Sequence, residues 1–310
     1  MRLGQENSEL AVALENDLNQ NRVMFDSPYL IRSEALAAQL DDPALRIFDC
    51  TTRLVPDPEL FMRAEACDAE YALAHIPGAG YLDLQGALSD SSSRWRFMMP
   101  PLDDLAAAFG RCGIGAESRV VLYDTNNMMW ATRIWWMLRA IGFDNAALLD
   151  GGLKNWKREG RALSDAPCNY PATSPLQVKA ETALLVGQDA VRTALDAPET
   201  SVINALSFEQ FSGDGVHYGR PGRIPGSVCA PARDMTDPET GLLKSSDTLR
   251  AIFTDADVAI DQPILCYCGG GIAATLDAFV LTLLGADDVT VYDASLSEWA
   301  QDSNLPMETG

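Results

Sequence analysis

The sequence predicts an α/β protein of two tandem units, each a mainly parallel sheet with helices on both faces. Three observations carry that expectation. The length of 310 residues suits two domains of roughly 150. Short buried strands alternate with helix-length apolar stretches, the pattern of βαβ units. The chain also repeats itself once, with the same turn, strand and tryptophan signals in the same order.

The repeat justifies the elements in turn. Ile76-Pro77-Gly78 returns as Ile224-Pro225-Gly226, each followed by a small residue and a short apolar strand. Arg119-Val-Val-Leu-Tyr123-Asp124 corresponds to Gln262-Pro-Ile-Leu-Cys-Tyr267-Cys268, a buried strand running into a polar loop. An apolar helix after each loop ends at a glycine, Gly142 or Gly285. Strands near 146–149 and 289–292 lead into Asp150-Gly-Gly-Leu153-Lys-Asn-Trp156 and Asp293-Ala-Ser-Leu296-Ser-Glu-Trp299, where Asp, Leu and Trp recur in register. Gene duplication accounts for this. Each unit reads strand, helix, strand, loop, strand, helix, strand, helix. The expected divisions are an N-terminal extension (1–26), a first domain (27–163), a linker rich in Pro, Ser, Thr and Asn (164–175) and a second domain (176–310).

Composition excludes several partners. A net charge of −21 opposes nucleic acid and anionic membranes, which need a basic footprint, and serves solubility. The seven cysteines (50, 67, 112, 168, 229, 266, 268) are odd in number and lack zinc-type pairing. They read as reduced thiols of a cytoplasmic protein without metal or other cofactor. Residues 1–26 have neither the apolar core of a secretory signal nor the Arg-rich character of a transit peptide. The longest apolar stretch, around 278–284, is too short to span a bilayer.

The chemistry concentrates in Ile264-Leu-Cys-Tyr-Cys268-Gly-Gly-Gly-Ile-Ala-Ala-Thr275. Here a cysteine sits at the carboxyl end of a parallel strand, where ligands bind in open α/β sheets. Gly269, Gly270 and Gly271 let successive N–H groups turn inward as an anion nest, and Ile272 and Ala273 open a helix whose dipole adds to it. A thiolate, or a persulfide anion built on it, is stabilised in such a cradle. Cys266, two positions earlier on the strand, reads as a core thiol. Cys50 reads the same way, and Asp124 leaves the first copy without a nucleophile.

These features resemble the tandem-domain rhodanese and 3-mercaptopyruvate sulfurtransferases. The resemblance rests on both Ile-Pro-Gly turns, the run Ala131-Thr-Arg-Ile-Trp-Trp-Met-Leu-Arg139, the two Asp…Leu…Trp phrases and a six-residue active loop at 268–273. It implies two rhodanese-like domains, the first catalytically silent, and a ping-pong cycle through a Cys268 persulfide. Sulfur would come from a small anionic donor, 3-mercaptopyruvate or thiosulfate, and pass to a thiol or other thiophilic acceptor, such as a thioredoxin-like protein.

Several positions depart from that family. Mercaptopyruvate enzymes typically have Ser third in the loop as a proton relay, and thiosulfate enzymes have cations at the second and third places. This chain has Gly269 and Gly270. Asn204-Ala205-Leu206 stands where the family reads Asp-x-Arg, Arg223 where a His precedes the turn, and Phe97 where a His faces the cleft. Arg220 and Arg223 are then the expected cationic substrate contacts, with Arg94 and Arg96 able to reach over from the first domain. His75 is expected to make a fold-level hydrogen bond. The competing reading is an eroded module that carries or senses sulfur, or scaffolds a partner. A cysteine phosphatase would need a longer loop ending in Arg to grip phosphate.

Overall fold

The computed structural model describes Phe25 and residues 27–57, 61–180 and 183–310; the expected N-terminal extension lies outside these apart from Phe25. In the first domain β1 (Leu30–Ile31), β2 (Leu45–Asp49), β5 (Ala79–Tyr81), β6 (Arg119–Tyr123) and β7 (Ala146–Leu149) form an all-parallel sheet in the order β1-β7-β6-β2-β5. Between β2 and β5, a stretch read from the sequence as loop is an antiparallel hairpin of β3 (Thr52–Asp57) and β4 (Phe61–Ala66). Arg53 faces Glu65 across it, a favourable cross-strand pair.

The second sheet contains β8 (Leu185–Val186), β9 (Ser201–Asn204), β10 (Val228–Cys229), β11 (Ile264–Tyr267) and β12 (Val289–Tyr292). Its order, β8-β12-β11-β9-β10, repeats the first sheet strand for strand. Among the described residues ten α-helices connect the strands: α1 (Ser33–Ala37), α2 (Asp68–Leu73), α3 (Leu102–Arg111), α4 (Met129–Ala140), α5 (Gly152–Arg158), α6 (Gln188–Asp196), α7 (Phe208–Ser212), α8 (Ser246–Asp255), α9 (Ala273–Leu283) and α10 (Ser295–Trp299). Among the described residues no helix is long and apolar enough to cross a membrane.

The recurring sequence signals have recurring jobs. The Ile76 amide donates to Tyr123 Oη at the end of β6, and the Ile224 amide donates to Tyr267 Oη at the end of β11. Each Ile-Pro-Gly turn is thereby pinned to the strand that leads into its loop. Trp156 Nε1 donates to Ala162 O and Trp299 Nε1 to Pro306 O, so each tryptophan ties down the chain leaving its domain.

The two domains share one core. Helices α4 and α9 follow the two loops and pack on each other; Trp135 meets Phe279 edge to face at 4.9 Å, and Thr132 Oγ1 lies 2.9 Å from Thr275 Oγ1. Helix α4 is buried on nearly every side, which explains its uninterrupted apolar run. The linker lies extended on the first domain: the Ser164 amide donates to His75 O, Tyr170 Oη to Gly78 O and the Lys179 amide to Ile141 O.

Candidate active site

Strand β11 delivers Cys268 into the loop at 268–272, and α9 begins at Ala273. Cys268 is 2% exposed. The loop is held from outside by its carbonyls. Cys268 O accepts from Leu296 N (3.1 Å), Gly269 O from Ser297 N (2.8 Å) and Ser297 Oγ (2.7 Å), and Gly271 O from Arg133 Nη1 (3.2 Å). The amides of Cys268 and Gly271 donate to Ser295 Oγ at 3.0 and 3.2 Å, and that hydroxyl donates to Tyr292 O. The amides of Gly269, Gly270, Ile272 and Ala273 donate to no acceptor among the described residues. With the start of α9, they are what the loop offers an anion.

The first domain shows what such a loop holds. Asp124 follows β6 as Cys268 follows β11. Its carboxylate accepts four amides: Asn126 and Met128 at Oδ1, Trp130 and Ala131 at Oδ2, over 2.9–3.2 Å. Thr51 Oγ1 accepts a fifth, from Thr125. Burial pushes the Asp124 pKa up, and the four amides pull it back. The first loop is filled by its own side chain.

The loop at Cys268 is set by the other domain. Arg133, fully buried on α4, pairs with Asp293 at 2.6 Å and reaches Gly271 O and Phe97 O. The second oxygen of Asp293 accepts from Met99 N at 2.9 Å. Gly271 has φ +72°, and a Cβ there would overlap Asp293 O, so this position requires glycine. At Gly269 a Cβ would overlap the Tyr218 hydroxyl. At Gly270 the space is open, with Ser297 Oγ the nearest group at 3.6 Å.

Arg220 and Arg223 require correction. Arg220 donates to four backbone carbonyls, those of Trp299, Ala300, Asp302 and Leu305. Arg223 pairs with Glu308 at 2.6 Å and donates to Phe211 O and Gly310 O. Both guanidinium groups staple the C-terminal tail instead of facing a substrate, because a planar five-donor fork suits clustered carbonyls. Arg96 donates from Nη1 to Met62 O at 2.7 Å and lies over the Phe97 ring, on the first-domain side of the Tyr218 hydroxyl that rests on Gly269. His75 is a fold residue, its ring nitrogens facing Tyr71 O (2.7 Å) and Ala166 O (3.0 Å). Cys266 is fully buried, and burial pushes its thiol well up. Phe97 is buried against Trp130.

Sequence reasoning missed Arg133, Ser295 and Tyr218. Arg133 left one signal, a cation in the middle of an apolar helix. Ser295 left another: it stands where the first copy has Gly152, and both have φ +52°. A hydroxyl-bearing residue held in a glycine conformation marks a local constraint.

A buried, unpaired thiol in a loop of available amides, at the head of a parallel sheet, has the ingredients that thiol-dependent group transfer needs. A family model of the rhodanese-like domain matches residues 33–159 and again 188–302, and the chain belongs to that family. The 3-mercaptopyruvate sulfurtransferase of Escherichia coli K12 is 32% identical over 291 residues, covering 92% of this chain and 99% of the relative. The mitochondrial thiosulfate/3-mercaptopyruvate sulfurtransferase 1 of Arabidopsis thaliana is 33% identical, covering 88% of this chain and 76% of the relative. Among solved structures, SseA of Escherichia coli, a 3-mercaptopyruvate sulfotransferase of rhodanese fold, matches with a TM-score of 0.76 at 29% identity, covering 87% of this chain and 99% of that one. The chain is a sulfurtransferase of this family.

Proposed function

We propose that Cys268 takes the outer sulfur from a small anionic donor, 3-mercaptopyruvate or thiosulfate, and passes it on from a persulfide. The observation that carries this reading is the difference in filling between the loops. Four amides close on the Asp124 carboxylate in the first domain. In the second, equivalent backbone surrounds a thiol, and four amides lack a protein acceptor among the described residues.

The Cys268 thiolate attacks the donor sulfur, forming an S–S bond. A C–S bond breaks in mercaptopyruvate, or the S–S bond of thiosulfate breaks with sulfite leaving. The loop amides and the start of α9 hold the charged persulfide. An acceptor thiolate, on a small thiol or a thioredoxin-like protein, then attacks the outer sulfur and releases Cys268. Seven unpaired cysteines suit the reducing cytoplasm as the site of this work. The cycle uses no metal or other cofactor.

With Arg220 and Arg223 committed elsewhere, the donor's anionic end relies on the loop amides and Arg96. The test is intact mass after exposure to each donor and removal of the excess. Wild type should gain one sulfur atom and Cys268→Ser none; a variant that still gains it would overturn the assignment.

A further inference from the structure

Sulfur transfer from mercaptopyruvate leaves an electron pair on the donor's carbon, and that carbanion must receive a proton before pyruvate departs. Sulfite leaving thiosulfate needs none. The residues around the loop show which group can supply it. The loop itself is three glycines and has no hydroxyl. Ser297 Oγ donates to Gly269 O, Ser295 Oγ to Tyr292 O and Thr275 Oγ1 to Ile272 O, so each neighbouring hydroxyl proton is bound to a carbonyl. The fourth hydroxyl belongs to Tyr218. It occupies the space a Cβ on Gly269 would fill, one residue from the nucleophile.

We propose that the Tyr218 hydroxyl, resting on Gly269 beside Cys268, is the acid that protonates the carbon of a carbanion-leaving donor. This rests on the persulfide reading of the site. The balance is closed. Cys268–S⁻ attacks the thiol sulfur of mercaptopyruvate, giving Cys268–S–SH and the pyruvate enolate. Tyr218 O–H protonates the enolate carbon, and the phenolate recovers a proton from the more acidic persulfide. The products are pyruvate, Cys268–S–S⁻ and neutral Tyr218.

Three observations support the assignment. Gln210 interacts with the Tyr218 side chain in the sense that favours the ionised phenol, the form the acid takes once its proton has left. Burial and the charge of Cys268 push the Tyr218 pKa up, which keeps the acid form filled at neutral pH. Gln301 Nε2 donates to Tyr218 O at 2.9 Å, fixing the backbone that aims the ring. Tyr218 and the bare loop also belong together: a side chain at 269 would displace the hydroxyl, and glycine admits it.

The experiment compares Tyr218→Phe with wild type on both donors, measuring kcat, KM and the fraction of Cys268 persulfidated. Loss of a general acid should lower kcat for mercaptopyruvate by about 10²-fold or more, with KM and thiosulfate turnover within about twofold. Gly270→Ser places a new hydroxyl in the open space at 270 and should restore part of the mercaptopyruvate rate in the Tyr218→Phe background. Equal losses on both donors, or no loss on either, would overturn the proposal and leave the persulfide reading standing. If thiosulfate proves not to be a donor, the Gly270→Ser rescue decides, and its absence counts against Tyr218. Wild type that takes sulfur from thiosulfate alone would also overturn it. Wild type that takes sulfur from neither donor would overturn the persulfide reading and this proposal with it.

Discussion

At the head of β6 the chain closes around Asp124, and at the head of β11 it closes around Cys268. Much of the surrounding backbone is shared. Leu153 N donates to Asp124 O and Leu296 N to Cys268 O, both at 3.1 Å; Cys50 N donates to Tyr123 O and Ala205 N to Tyr267 O, both at 2.8 Å. The contents differ. The first loop is one residue longer between its tyrosine and the paired threonine, and its carboxylate and Thr51 consume five amides. The second has Leu206 where the first has Thr51, and Ser295 takes two amides while the rest stay available. On the proposed reading, an anion receptor becomes a reactive site when its built-in anion is replaced by a nucleophile. The same receptor filled by Asp124 is scaffold.

The comparison can be broken in several ways. Cys268→Ser should abolish sulfur transfer, by about 10³-fold or more in turnover, while the melting temperature stays close to wild type. A second thiol accounting for residual turnover would end the contrast between the loops. Next in size is Arg133→Leu, which copies Leu276 of α9 into α4 and leaves Asp293 buried without its cation. Losing one partner of a buried pair costs about 3–5 kcal/mol, so denaturant unfolding should shift strongly and activity fall with it. A neutral outcome would mean the first domain does not set the loop.

Asp124→Ala should destabilise by about 2–4 kcal/mol, since four buried amides lose their acceptor together. Chemistry at Cys268 should survive in the folded fraction, as judged by turnover per folded molecule. Smaller still is Asp49→Asn, which installs the residue found at the matching position, Asn204. Burial raises the Asp49 pKa from 3.8 to about 6. Protonated Asp49 therefore favours the native state: the contribution is full below about 4 and is lost as pH rises through about 6. The variant should gain on the order of 1–3 kcal/mol over wild type at pH 8 and little at pH 4, measured by urea unfolding. A gain equal at both pH values would assign the effect to packing. The smallest effect is expected from Gly270→Lys, whose side chain meets open space. It should raise kcat/KM for thiosulfate about tenfold, one charge-assisted contact, and leave mercaptopyruvate less changed.

Much of this was legible in the order of residues. Both parallel sheets and the place of Cys268 at the end of a strand follow from signals whose physics is local: a Pro-Gly turn, a buried strand, a helix closing on glycine; the strand order, set by long-range pairing, does not. The tyrosines that pin the turns and the tryptophans that pin the exits lay inside those signals. The arginines were misread for the opposite reason. Arg220 and Arg223 sit beside the loop-side turn in sequence, but all of Arg220's acceptors and most of Arg223's lie some 80 positions away, most of them carbonyls, and a carbonyl has no letter of its own. Arg133 and Tyr218 were hard to read as site residues because the loop positions they touch, Gly271 and Gly269, contribute only backbone to the contact. The β3–β4 hairpin escaped because the matching stretch of the second domain contains no hairpin.

The contact of Thr132 with Thr275 has a consequence for the history of the chain. These hydroxyls occupy the same place in the two repeats and face each other at 2.9 Å. Like meets like here, as in an isologous pair of separate subunits. The two halves of the duplicated chain meet as an isologous pair would, and joining them in one polypeptide frees each from having to stay identical. Arg133 could then evolve opposite Leu276, and Asp124 opposite Cys268, changes that a symmetric pair would have had to make on both sides at once.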